Sequence, residues 1–184
     1  MGFEVIDISM YSPKNSDLFL FDTSVWMHLF CPLGGYHEKE QRAFSLFLKK
    51  AQSSKSSIFI TSLVLCEFAN AYLRSDFKLW QKREGRFNAN FKKEFVGSNR
   101  YKKTVGIIAS VINNILSICR KESDNFNVIE INKILNHFQS IDFNDSYYLE
   151  LSSKSEFKIV TADYDFIKYR NHGQKIVTII ERKS

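Results

Sequence analysis

Leu18-Phe19-Leu20-Phe21-Asp22-Thr23-Ser24-Val25 decides the fold. Four apolar residues in a row are too few for a buried helix, and they read as a strand buried on both faces. An acid stops the run, and two small hydroxyls follow it. The same order returns in Ile159-Val160-Thr161-Ala162-Asp163-Tyr164-Asp165-Phe166, where Asp163 ends another β-rich run. Strands covered on both faces belong to parallel sheets, whose carboxyl ends converge on one crevice where such folds place their sites.

Outward from these two runs the chain alternates in period. Residues 37–52 carry Ala43, Phe44, Phe47, Leu48 and Ala51 at helical spacing. Ser57–Ile60 reads as a strand, and Thr61-Ser62 supplies the N-cap of a helix running through Arg74. Residues 102–121 predict another helix, 134–138 a short helical turn, 145–154 a helix, and 157–161 and 175–180 two further strands. Strands alternating with helices predict an α/β fold with a central, mainly parallel sheet flanked by helices in three layers. Two prolines, seven glycines and no low-complexity linker in 184 residues predict one domain over 1–184.

Four acids stand out by position. They are Asp22, Glu67 in Ser62-Leu63-Val64-Leu65-Cys66-Glu67-Phe68, Asp145 in Asp142-Phe143-Asn144-Asp145-Ser146, and Asp163. Leu63, Val64, Phe68 and Ala71 set Glu67 beside the buried stripe of its helix. Taken singly, Asp22, Asp145 and Asp163 each also fit a capping role. Gathered at strand ends, they repel one another unless a cation binds. An all-oxygen set suits a hard divalent ion, and so phosphate chemistry.

The neighbouring groups rank lower. Asp142 lies three residues before Asp145; capping that helix is its favoured reading, and sharing a metal is the alternative. Asp165 is a ligand candidate below Asp163. Thr23, Ser24 and Thr161 are short hydroxyls beside acids, suited to orienting water or a phosphate oxygen, or else to bonding their own turns. The histidines (28, 37, 137 and 172) fit no ligand spacing and receive no chemistry.

The net charge of +6 is local. Residues 76–103 hold nine Lys or Arg (78, 82, 83, 86, 92, 93, 100, 102, 103) against Asp76, Glu84 and Glu94, while the rest carries seventeen of each sign. So concentrated an excess suits a nucleic-acid contact, with Lys82, Arg83, Arg86, Lys92, Lys93, Arg100, Lys102 and Lys103 on the phosphates. Phe77, Trp80, Phe87, Phe91 and Phe95 advance at near-helical steps, and are read as the core face of a basic helix. No apolar run is long enough to span a bilayer, and the first residues lack the basic and apolar regions of a signal peptide. Three scattered cysteines suit neither disulfides nor zinc, so a reduced, cytoplasmic protein is expected.

Together these segments resemble the PIN-domain ribonuclease family, and most closely its VapC-type toxins. The resemblance rests on Phe21-Asp22-Thr23-Ser24, on the Thr61-Ser62 start of the helix bearing Glu67, on Asn144-Asp145-Ser146, and on Val160-Thr161-Ala162-Asp163-Tyr164-Asp165-Phe166. Ser146 replaces the family's usual Ala, and the segment between Glu67 and Asp145 is expanded. The resemblance implies a PIN-like fold and one or two Mg²⁺ or Mn²⁺ ions on Asp22, Glu67, Asp145 and Asp163. It also implies an RNA substrate and an antitoxin that docks near the basic region, and it leaves a homodimer open; attack by a metal-bound hydroxide, with no part for the ribose 2′-hydroxyl, implies 5′-phosphate and 3′-hydroxyl ends. Two rival readings stand beside it. One is a PIN-like module that only binds RNA or protein, which has no reason to keep a repulsive acid cluster. The other is an aspartyl-nucleophile phosphatase, which needs an Asp where Ser24 stands.

Overall fold

The computed structural model describes residues 4–33, 35, 38–168 and 175–178. Among the described residues six strands form one fully parallel sheet: β1 Glu4–Asp7, β2 Leu18–Phe21, β3 Ser57–Ile60, β4 Arg120–Lys121, β5 Lys158–Thr161 and β6 Lys175–Thr178. Their spatial order is β1-β6-β5-β2-β3-β4. From β2 the chain proceeds to β3 on one side, while β5 returns to pair with β2 on the other. The order reverses between β2 and β5, which is where open α/β sheets leave a crevice beyond the strand ends. The fold is α/β, with helices flanking this parallel sheet.

The helices are α1 Thr23–Phe30, α2 Glu38–Ser53, α3 Ser62–Glu84, α4 Asn99–Ile118, α5 Ile131–Phe138 and α6 Phe143–Ser155. Phe19, Leu20 and Phe21 are fully covered, as a central parallel strand requires. Phe19 meets Phe47 of α2 edge-on at 5.3 Å, and the Trp26 indole N–H donates to the Phe21 carbonyl at 3.1 Å. This aromatic packing fixes the angle at which α1 leaves β2, and so the position of Asp22 between them. No helix among the described residues is long and apolar enough to cross a membrane.

Several elements depart from the sequence expectation. α3 runs ten residues past Arg74, to Glu84, because Phe77 and Trp80 gain partners that the sequence alone does not reveal. It stops at Gly85, whose φ of 64° is left-handed and suits glycine. Residues 77–95 are therefore not one helix. After Gly85 the chain reverses through a short wide turn at Phe91–Phe95, so that Phe77, Trp80, Phe91 and Phe95 close on one another. Phe87 does not join them and is 72% exposed, which corrects its reading as a core residue.

α4 starts three residues earlier than expected, capped by Ser98, and ends at Ile118. Extended backbone at Cys119 then lets Arg120 and Lys121 pair with β3, in place of the helix expected there. β1 was not expected, and α1 was foreseen only as the helix or turn that Asp22 would cap. α5 begins three residues early, and the expected strand residues 179–180, like His37 and His172, lie outside the described residues.

Candidate active site

Asp22 ends β2 and caps α1, its carboxylate accepting from the Thr23 N–H. Its own N–H donates to the Val160 carbonyl at 2.9 Å, which ties the ends of β2 and β5 together. The second carboxylate oxygen accepts from the Ser24 hydroxyl at 2.7 Å and the Thr161 hydroxyl at 2.9 Å. Those hydroxyls accept in turn from the Ala162 and Asp163 N–H groups, at 3.0 and 2.9 Å. Ser24 and Thr161 thus orient the acid of one strand against the backbone beyond the next.

Glu67 projects from α3 toward the same place. The Thr23 hydroxyl donates to it at 2.8 Å, and the Tyr148 hydroxyl and the Asn144 amide of α6 donate as well. Asp142 caps α6 through the Asp145 N–H at 2.9 Å, so its favoured capping reading is what the fold displays. Asp163 accepts the Asp165 N–H at 2.8 Å. Asp22, Glu67, Asp142, Asp145 and Asp163 all line one cleft of about 540 Å³, together with Thr23, Ser24, Met27, His28, Asn70, Ala71 and Ser75. Thr161 lies beneath it, and Asp165 is not part of its lining.

Five carboxylates face this space, and no Lys or Arg among the described residues lines it. Burial pushes Asp22 up to about 6, with repulsion from Glu67 adding to it, although Ser24, Thr161 and the Thr23 N–H pull the other way. Burial also pushes Asp145 up to about 9, reinforced by the charges of Asp22, Asp142, Asp163 and Glu67. Among the described residues no three His, Cys, Asp or Glu side chains stand as a ready ligand set for one ion. Hydroxyls and an amide hold the oxygens of Asp22 and Glu67. The donor set still fits a hard divalent cation: it is all oxygen, nearly all anionic, and destabilised by its own repulsion.

Asn144 and Tyr148 are groups that sequence reasoning missed. They lie four apart on one face of α6, a spacing that signals a shared contact but not its partner. His28 also lines the cleft and stands 3.3 Å from Glu40. In the basic segment, Lys82, Arg83, Arg86, Lys92, Lys93, Lys102 and Lys103 are exposed. Arg100 requires a correction. Its guanidinium is bound at 2.9 and 3.0 Å to Asp76, which is fully buried and also accepts the Thr104 hydroxyl at 2.6 Å. Burial opposes the Asp76 charge, but Arg100 and Thr104 hold its carboxyl below the usual range. Arg100 therefore braces α3 against α4.

The chain matches the PIN domain over residues 19–171, and it belongs to the PIN domain family. PIN domains are generally nucleases, and they typically use divalent metals. The fold is similar to that of a chain in the crystal structure of VapBC2 from Rickettsia felis bound to a DNA fragment from their promoter. That likeness has 12% identity and a TM-score of 0.52, over 86% of this chain and 96% of that one. PAE2754 from Pyrobaculum aerophilum aligns over 92% of this chain and 90% of its own, at 14% identity and a TM-score of 0.45. No curated protein sequence matches the chain.

Proposed function

We propose that this chain is a metal-dependent endoribonuclease, a single PIN-like unit that acts in the cytoplasm as the toxin of a toxin–antitoxin pair. What carries this reading is the cleft itself, where five carboxylates share one space and two are pushed up by burial and mutual repulsion. Proteins keep such a cluster where a cation relieves it. Asp22, Glu67, Asp145 and Asp163 would hold one or two Mg²⁺ or Mn²⁺ ions, with Asp142, which shares the cleft, as an accessory acid. Bound there, the ion supplies Lewis acidity for in-line hydrolysis of a phosphodiester.

The chain's own groups do the rest. Ser24 and Thr161 keep the Asp22 oxygens aimed, and Thr23 and Tyr148 do the same for Glu67. The exposed cations Lys82, Arg83, Arg86, Lys92, Lys93, Lys102 and Lys103 bind the RNA backbone. The likeness in fold to a VapBC2 chain supports an antitoxin partner. The test is incubation of the purified chain with single-stranded RNA in Mn²⁺ or Mg²⁺, against chelator, with analysis of the new ends. The expected result is metal-dependent cleavage to 5′-phosphate and 3′-hydroxyl ends. A 2′,3′-cyclic phosphate, or cleavage unchanged in chelator, contradicts it.

A further inference from the structure

The loop that joins α3 to the turn at Phe91–Phe95 is fastened at several points. The Arg86 N–H donates to the Gln81 carbonyl at 2.9 Å, and the Ala89 N–H to the Arg86 carbonyl at 3.0 Å. The Gln81 amide then reaches up from α3 to the carbonyls of Phe87 and Ala89, at 3.1 and 3.2 Å. Yet Phe87, held at the centre of these bonds, is the most exposed aromatic side chain among the described residues. The other aromatics of this region pack on one another, so hydrophobic burial does not account for its place. A hydrogen-bonded backbone that presents one bare ring suits a stacking surface.

Its surroundings name the ligand. Phe87 borders a recess of about 360 Å³ with Gly85, Arg86, Asn88, Ala89 and Glu94, near the lower end of small-ligand sites. Arg86, exposed although it stands 4.0 Å from Glu94 and over the Trp80 ring, brings a cation, and Asn88 an amide with a donor and an acceptor for a base edge. A path leads there from the cleft. Glu67, Asn70, Ala71 and Ser75 of α3 line the cleft, and the helical period carries that face on to Lys78 and Lys82, both exposed. From Glu67 to Gly85 the helix rises about 27 Å. That span suits a single strand of several nucleotides, within the ~4–16 typical of such sites.

We propose that Phe87 is the platform of a second RNA subsite, which stacks an unpaired base of the strand whose scissile phosphate lies in the carboxylate cleft. The proposal rests on the ribonuclease reading above. It assigns a length requirement to the substrate: RNA long enough to reach the loop beyond Gly85 binds more tightly than RNA that fills only the cleft.

The test uses fluorescence anisotropy of labelled single-stranded RNA, about 4 or about 16 nucleotides long, in Ca²⁺ in place of Mn²⁺, so that the carboxylates of the cleft are neutralised while cutting is suppressed. Phe87→Ala should weaken the longer RNA by roughly 5- to 100-fold and leave the shorter unchanged. Phe87→Trp should retain the affinity, and Phe126→Ala, at another exposed ring, should have no effect. In Mn²⁺, Phe87→Ala should raise KM for the longer RNA at an unchanged kcat. Equal affinity of wild type and Phe87→Ala for the longer RNA overturns the subsite and leaves the loop to a protein partner. If wild type binds the longer RNA but never cuts it, the ribonuclease reading fails while the anisotropy still decides Phe87. If wild type binds no RNA, both fall.

Discussion

Replacing Asp145 by Asn should stabilise the metal-free protein at neutral and alkaline pH. In the fold Asp145 is pushed up to about 9 from an ordinary value near 3.8, by burial first and then by Asp22, Asp142, Asp163 and Glu67. A raised carboxyl favours folding while it is protonated, so its contribution is intact below the unfolded value and is lost as pH climbs toward 9. Between about pH 5 and pH 8 the loss is about 1.4 kcal/mol per unit, or about 4 kcal/mol in all. Asp22, pushed up to about 6, adds to the decline over the first of those units. For a chain of this size 4 kcal/mol moves Tm by about 8–16 °C. Wild type in chelator should therefore melt progressively lower from pH 5 to pH 8, and Asp145→Asn should flatten that slope. Mn²⁺ at about a hundred times its Kd should return about 2.7 kcal/mol to wild type and far less to the variant. Scanning fluorimetry of both proteins from pH 5 to pH 8, in chelator and in Mn²⁺, reads these outcomes. A wild-type Tm that rises with pH in chelator, together with a variant that melts lower at pH 8, refutes the repulsive cluster.

Three further outcomes follow from named contacts. Tyr148→Phe removes one donor from Glu67, and should lower Mn²⁺ affinity or cleavage by about 10- to 100-fold while circular dichroism stays unchanged. Arg100→Gln leaves Asp76 buried beside Thr104 alone, and should cost about 3–5 kcal/mol in urea unfolding, part of which Asp76→Asn in the same chain restores. Reversing Lys92, Lys93, Lys102 and Lys103 to Glu should weaken RNA binding and flatten its salt dependence by about 0.7 per lost contact on a single strand, measured by anisotropy at several salt concentrations.

What was legible in the sequence was what short range determines. The β-rich runs at 18–21, 57–60 and 157–161 became neighbouring strands, with 18–21, buried at Phe19, Leu20 and Phe21, between the other two as the middle of a parallel sheet requires. Asp22, Glu67, Asp145 and Asp163 line one cleft because the first and last follow adjacent strands and the others ride helices that lean over them. Long-range contacts were not legible. Asp76 and Arg100 stand 24 positions apart, so a count of cations did not show that one of them was already bound. Nor does the pattern 77–95 reveal a reversal, since aromatics packed across two segments keep the same spacing as aromatics on one helix. Of the edge strands, β1 holds only Val5 and Ile6 between two acids, and β4 is the dipeptide Arg120-Lys121, so neither has a long apolar run to announce it.

The central claim is that the four acids act together on a phosphodiester. The most direct measurement is single-turnover cleavage of a labelled single-stranded RNA in Mn²⁺ by wild type and by Asp22→Asn, Glu67→Gln, Asp145→Asn and Asp163→Asn. Each substitution should cut the rate by at least about a hundredfold with the fold intact, and changes at Asp142 and Asp165 should be milder. Cleavage at the wild-type rate by Asp22→Asn or Asp145→Asn would contradict the account, because those carboxylates sit deepest in the shared cleft.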